Sequence, residues 1–218
     1  YYRVIEFDTP ALLIVHLGMT GKLGIFAQDS PRSVHDHVIW NLDNAKALRF
    51  NDVRRFGSVT LIEEDSYGEL EQTIFFNLGP EPFSEEFTAD YLARKAAGRK
   101  KPVKNFLMDN HIVTGVGNIY ANESLFAAGI SPSRPISKIS KKSWTRLVTE
   151  LRAVLQHAID CGGSTISDFL SASGKPGYFQ VHFAVYGRTG KPCRKCGGPI
   201  ATTKIGGRSS FHCPVCQT

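Results

Sequence analysis

Four cysteines near the C-terminus constrain this chain more than any other feature. They fall as Cys193-Arg194-Lys195-Cys196 and Cys213-Pro214-Val215-Cys216, two CxxC pairs with sixteen residues between them. Each pair can offer two thiolates from one tight knuckle, and two knuckles close a tetrahedral four-sulfur shell around a single Zn2+ ion. Gly197-Gly198 and Pro214 supply the turn chemistry that such knuckles need. Two disulfides are the competing reading, but no secretory signal pattern precedes the cysteines, which favours a reducing compartment. Four sulfurs leave no position open for water, so the expected ion is structural. Only about 35 residues surround it, too few to bury a core alone, so coordination should supply most of the module's stability. The fifth cysteine, Cys161 before Gly162-Gly163, reads as an ordinary buried or helix-terminal thiol.

The remaining pattern predicts an α+β chain in three parts, bounded at 1–80, 81–183 and 184–218. Leu12-Leu13-Ile14-Val15, Val38-Ile39-Trp40 and Val59-Thr60-Leu61-Ile62 are short strand-like runs, and Asp43-Asn44 reads as a hairpin tip. With no βαβ alternation, these strands point to part of an antiparallel β-sandwich or barrel. Leu78-Gly79-Pro80-Glu81-Pro82 is a linker. Beyond it, Thr88 can cap a helix over 89–97, and Pro102 suits the first turn of another running to Met108. A third helix should span Gly117 to Gly129. Ser140 opens a longer one, whose stripe of Trp144, Leu147, Val148, Leu151, Val154, Leu155, Ala158 and Ile159 is core. A short helix near 165–171 and the loop Ser173-Gly174-Lys175-Pro176-Gly177 precede the cysteine module.

Charge narrows the partner. The net charge is +6, and two stretches hold no acid at all. One carries Arg94, Lys95, Arg99, Lys100, Lys101 and Lys104; the other, 184–218, carries Arg188, Lys191, Arg194, Lys195, Lys204 and Arg208. Neither joins its charge to a long apolar helix face, and no apolar run reaches the ~20 residues of a membrane span, so nucleic acid is expected and a membrane partner is not. A solvated face kept for solubility is the plainer alternative. Thr114-Gly115-Val116-Gly117-Asn118 sharpens the choice: a glycine turn leading into a helix N-terminus is suited to a backbone phosphate. His35-Asp36-His37 could hold a metal, but no third ligand is evident.

The run from Met108 to Ile130, MDNHIVTGVGNIYANESLFAAGI, closely resembles the helix-two-turns-helix of formamidopyrimidine-DNA glycosylases. His16-Leu17-Gly18-Met19-Thr20-Gly21, Asp52-Val53-Arg54-Arg55-Phe56-Gly57, Gly174-Lys175-Pro176-Gly177-Tyr178-Phe179 and the four-cysteine finger match in the same order, across essentially the whole chain. The resemblance implies a base-excision repair enzyme that removes 8-oxoguanine and formamidopyrimidines from duplex DNA and nicks the strand by β,δ-elimination through a Schiff base. It implies that Met19, Arg54 and Phe56 fill the stack vacated by a flipped base, although Met19 and Phe56 alone would read as core. It also implies DNA contacts at His35, Arg54, Arg99, Lys104, Asn118 and Lys175, with Lys104 close to the lesion pocket and Lys175 in a cover over the extruded base. Arg208 matches a finger arginine that binds phosphates flanking the lesion and assists δ-elimination.

The family's nucleophile is an N-terminal proline followed by a glutamate acting as general acid, and both would precede Tyr1. The strand lysine that assists β-elimination is either replaced by Tyr1 or lies just before it. The expectation is therefore a chain covering the C-terminal four-fifths of such an enzyme, a monomer of the bacterial cytoplasm and nucleoid that binds damaged or abasic duplex weakly without cutting it. An endonuclease VIII-like glycosylase for oxidised pyrimidines is an alternative, disfavoured by Arg54-Arg55-Phe56 and the 175–179 loop. A non-catalytic zinc-ribbon DNA-binding module is the other, and an upstream start reading Met-Pro-Glu would separate it from the enzyme.

Overall fold

A computed structural model describes residues 2–9, 11–62, 75–161 and 182–218. The chain forms two compact units, Tyr1–Thr73 with Cys161–Gln180 and Ile74–Asp160 with Val181–Thr218. The helix expected near 165–171 and the loop at 173–177, including Lys175, lie outside the described residues.

The first unit holds two three-stranded antiparallel sheets. One orders β1 (Tyr2–Glu6), β2 (Leu12–His16) and β6 (Ser58–Ile62) with β2 central; the other places β5 (Lys46–Asn51) between β3 (Lys22–Ala27) and β4 (Asp36–Asn41). A central strand needs apolar residues on both faces, and Leu12, Leu13, Ile14 and Val15 are all buried. Leu13 and Val15 of one sheet and Phe50 of the other share a cluster with Leu23, Trp40 and Val59, so the expected sandwich is present. The predicted tip at Asp43-Asn44 joins β4 to β5. Arg49 is buried on β5 and anchored locally: its Nη atoms donate to the carbonyls of Pro31 and Ser30 at 2.8 and 2.7 Å and pair with Asp36 at 3.5 Å.

The second unit is helical with a terminal hairpin. Its helices are α1 (Ala89–Ala96), α2 (Val103–Leu107), α3 (Asn118–Ala128) and α4 (Lys141–Asp160), with a 3-10 turn at Ile136–Lys138. Thr88 caps α1 as expected, its Oγ1 accepting the Tyr91 N–H at 3.1 Å. Ser140 caps α4 through the Ser143 N–H at 3.2 Å. Pro102 sits one residue outside α2, as its cap. On α4, Trp144, Leu147, Val148, Leu151, Leu155 and Ala158 face the core, but Ile159, expected in the same stripe, is 60% exposed. α3 is buried from Ala121 to Phe126, so its polar residues there must find partners inside the protein. The hairpin pairs β7 (Ala201–Ile205) with β8 (Arg208–His212) through Gly206-Gly207, both at positive φ (58° and 77°), the geometry of a two-residue turn with left-handed central residues.

Candidate nucleic-acid interface

In the first unit, Met19 and Phe56 are each 55% exposed, so neither is core. Arg54 lies with them: its guanidinium carbon is 4.6 Å from the Phe56 ring centroid and its Nη1 is 3.5 Å from the Met19 sulfur. Two loops, 17–21 and 52–57, bring these side chains together. Beneath them, buried Asp52 accepts from the Thr20 hydroxyl at 2.5 Å and from the Gly57 N–H at 2.8 Å, while Thr20 Oγ1 accepts the Arg54 N–H at 3.1 Å. Burial alone would raise the Asp52 pKa; the Thr20 hydroxyl and the Gly57, Arg54 and Phe56 amides together outweigh it and hold the carboxyl below the usual value. His35 is half-buried and takes part through its carbonyl, which accepts the Asp52 N–H at 3.0 Å, while His37 Nε2 meets the Asp52 carbonyl at 2.8 Å.

In the second unit, α3 begins at Gly117, which lies in extended backbone, and no side chain caps it. A Cβ at Gly117 would meet nothing within 4 Å, so the approach to the first turn is open. Asn118, at the first helical position, donates to the Ser209 carbonyl at 3.2 Å, which ties this helix start to the hairpin carrying Arg208. Arg208 is exposed beside the Gly206-Gly207 turn, above a shallow cavity lined by Asn105, Met108 and Asp109. Its cation and the α3 N-terminus offer charge and N–H donors to an anion in the same unit.

Lys104 differs from the expectation. It is fully buried, and its ammonium donates to the Ser209 carbonyl and the Ser210 hydroxyl, both at 2.7 Å. Burial and then the Arg208 charge push its pKa down to about 8. Its side chain fastens α2 to β8. Part of the remaining cationic stretch is also engaged, since Lys101 pairs with Asp109 at 2.8 Å and Lys95 lies over the Tyr91 ring. Arg94, Arg99 and Lys100 are exposed.

The four cysteine sulfurs lie within 4.8 Å of one another, with Cys193 to Cys216 at 4.0 Å and Cys196 to Cys213 at 3.5 Å. A tetrahedron of metal–sulfur bonds near ~2.3 Å sets its sulfurs about 3.8 Å apart, and a disulfide needs ~2.05 Å, so the set fits one tetrahedral ion and no disulfide. Without a cation such thiols resist ionising together: the hydrogen bond to Cys196, then burial, push the Cys216 thiol up to about 12. The ion's seat is fastened to the helices by polar bonds that sequence reasoning missed. Glu123, 6% exposed on α3, accepts the N–H groups of Ala184, Val185 and Tyr186 at 2.8, 3.0 and 2.8 Å. Asn122 accepts the Phe211 N–H at 2.7 Å, and Gln217 donates to the Ile130 carbonyl at 2.9 Å. The signal was available, since Asn122-Glu123-Ser124 interrupts an otherwise apolar helix.

Three family models match the chain: the formamidopyrimidine-DNA glycosylase N-terminal domain over residues 2–59, its H2TH domain over 78–170, and a zinc finger found in FPG and IleRS over 190–218. The formamidopyrimidine-DNA glycosylase of Vibrio atlanticus (strain LGP32) is 48% identical over 216 residues, covering 99% of this chain and 78% of that protein. That of Enterobacter sp. (strain 638) is 48% identical over 206 residues, 94% of this chain and 75% of its own length. Among solved structures, the MutM (Fpg) protein of Thermus thermophilus aligns with a TM-score of 0.86 at 37% identity, over 99% of this chain and 79% of that one. Lactococcus lactis Fpg in complex with DNA containing an abasic site aligns at 0.88 and 35% identity, over 100% of this chain and 79% of that one.

Proposed function

The chain belongs to the formamidopyrimidine-DNA glycosylase family, and from that premise we propose that it grips damaged double-stranded DNA by inserting Met19, Arg54 and Phe56 where a lesion base has left the stack. Base-excision repair by a DNA glycosylase is the family's activity, and oxidised purines, 8-oxoguanine and formamidopyrimidine, are the substrates proposed here. Flipping a base out costs a few kcal/mol, and apolar wedges with a hydrogen-bonding cation offset that cost. Arg54 would donate to the cytosine left without a partner. Asn118, the open first turn of α3 and Arg208 would take phosphates in the second unit, with exposed Arg99 adding charge and His35 a further contact in the first unit. Strand cleavage by β,δ-elimination is the accompanying lyase step, in which Arg208 would steady the charge on the departing phosphate. Lys104 enters as the residue that seats the finger.

Cys193, Cys196, Cys213 and Cys216 would hold Zn2+, which supplies structure only, because four sulfurs leave no site for a reactant. The chain would act as a monomer in the reducing bacterial cytoplasm. No helix among the described residues is long and apolar enough to cross a membrane.

The observation that carries this reading is the exposure of Met19 and Phe56, two large apolar side chains at one tip with Arg54 between them. The test is competition between a duplex with a tetrahydrofuran abasic analogue opposite cytosine and its undamaged counterpart. The abasic duplex should bind at least tenfold more tightly, a difference of about 1.4 kcal/mol, and Met19→Ala with Phe56→Ala should erase most of that preference. Equal affinity of the unaltered chain for both duplexes would overturn the reading.

A further inference from the structure

Met19, Arg54 and Phe56 come from two loops separated by thirty residues of chain, yet Arg54 reaches both Met19 and Phe56. Apolar burial does not explain this, because all three are exposed. The polar pair beneath them does. Asp52 is 1% and Thr20 8% exposed. The two carboxylate oxygens of Asp52 reach different loops, one accepting from Thr20 and the other from the Gly57 N–H, and Thr20 returns a bond to the Arg54 N–H.

We propose that Asp52 and Thr20 are positioning residues that lock the two loops into one pre-formed wedge, so that Met19, Arg54 and Phe56 enter the stack as a unit. This rests on the reading of those three residues as stack-filling.

Two backbone features point the same way. Gly18 has φ +58°, and a Cβ there would lie 2.7 Å from the Phe56 carbonyl carbon, so the loops meet backbone to backbone. Arg55, between two wedge residues, has φ +55°. A non-glycine residue stays in that region only when its surroundings over-determine it, and the Asp52–Thr20 bonds are such surroundings. The consequence for binding is entropic. Ordering a side chain at an interface costs conformational entropy, and a wedge ordered beforehand avoids that cost when DNA arrives. The same bonds leave binding to undamaged duplex untouched, since no stack is entered there.

The test uses the full chain with its metal. Thr20→Val keeps the shape and removes the hydroxyl; Thr20→Ser restores it. The probes are the abasic-analogue duplex opposite cytosine, with 2-aminopurine beside the gap to report insertion, and the undamaged duplex. Thr20→Val should weaken abasic binding about tenfold and lose the fluorescence rise, with undamaged binding unchanged and both signals kept in Thr20→Ser. Full retention of affinity and fluorescence in Thr20→Val overturns the brace. Met19→Ala separates the levels. If it abolishes the fluorescence rise while Thr20→Val does not, the brace alone fails; if it leaves the rise intact, the stack-filling reading fails and the brace with it. Should Thr20→Val not fold, hydrogen exchange in the unaltered protein decides: slow exchange at the Arg54 and Gly57 amides supports the brace, and fast exchange at both overturns it.

Discussion

The two units solve the same problem, holding a polar working surface still, by different means. In the second unit Arg208 sits on a hairpin moored by buried polar groups of α2 and α3, Lys104 and Asn122, while Glu123 holds the segment 184–186 that leads to four sulfurs suited to one metal ion. Behind it lies a continuous helical core including Phe106, Leu125, Trp144 and Leu151. In the first unit the exposed tip of Met19, Arg54 and Phe56 stands over a smaller apolar cluster at Leu13, Val15 and Phe50, and one carboxylate joins its loops. Buried polar side chains bonded to backbone groups thus do for short loops and a small hairpin what area burial does for helices.

The sharpest way to break this comparison is to remove the metal. Chelation, or Cys213→Ser, should unfold 184–218, because metal binding in such modules is worth roughly 10–16 kcal/mol. Hydrogen exchange should then show β7 and β8 losing protection while α4 and β2 keep theirs, and binding to lesion DNA should be lost; unchanged binding after verified metal removal would contradict the account. Next in size is Glu123→Ala, which leaves three N–H groups without their acceptor. It should cost about 3 kcal/mol or more in urea unfolding of the metal-loaded chain, with Glu123→Gln less damaging. Smaller again, Arg54→Ala should weaken binding to an abasic site opposite cytosine about tenfold and leave undamaged duplex alone. Equal loss on both would make Arg54 a generic phosphate contact. The smallest effect is acid sensitivity. Asp52 has a folded pKa below its unfolded value of 3.8, so its stabilising contribution is complete above that value and fades as pH falls through the lower folded one. Asp52→Asn should flatten this part of the acid unfolding curve, followed by exchange at the Gly57 amide.

What could be read in advance depended on how local the cause was. The two cysteine knuckles, the Thr88 and Ser140 caps and the hairpin at Asp43-Asn44 are each set by residues a few positions apart, so spacing alone revealed them. The burial of Lys104 was not legible because a run of cations looks uniform in sequence, whereas its partners on β8 lie 105 and 106 residues away. Ile159 keeps the helical period of α4 yet remains exposed. Met19 and Phe56 read alone as core, and only the motifs around them suggested a surface role. Thr20 and Asp52 stood within recognised motifs, but their bond spans 32 positions and has no periodicity to announce it.

The most direct test is a crystal structure of the chain with a duplex carrying the tetrahydrofuran analogue opposite cytosine. The account predicts Met19 and Phe56 between bases, Arg54 on the unpaired cytosine, and Asn118 and Arg208 on phosphates. A complex in which the Met19–Phe56 tip and the start of α3 both face away from the duplex would contradict it.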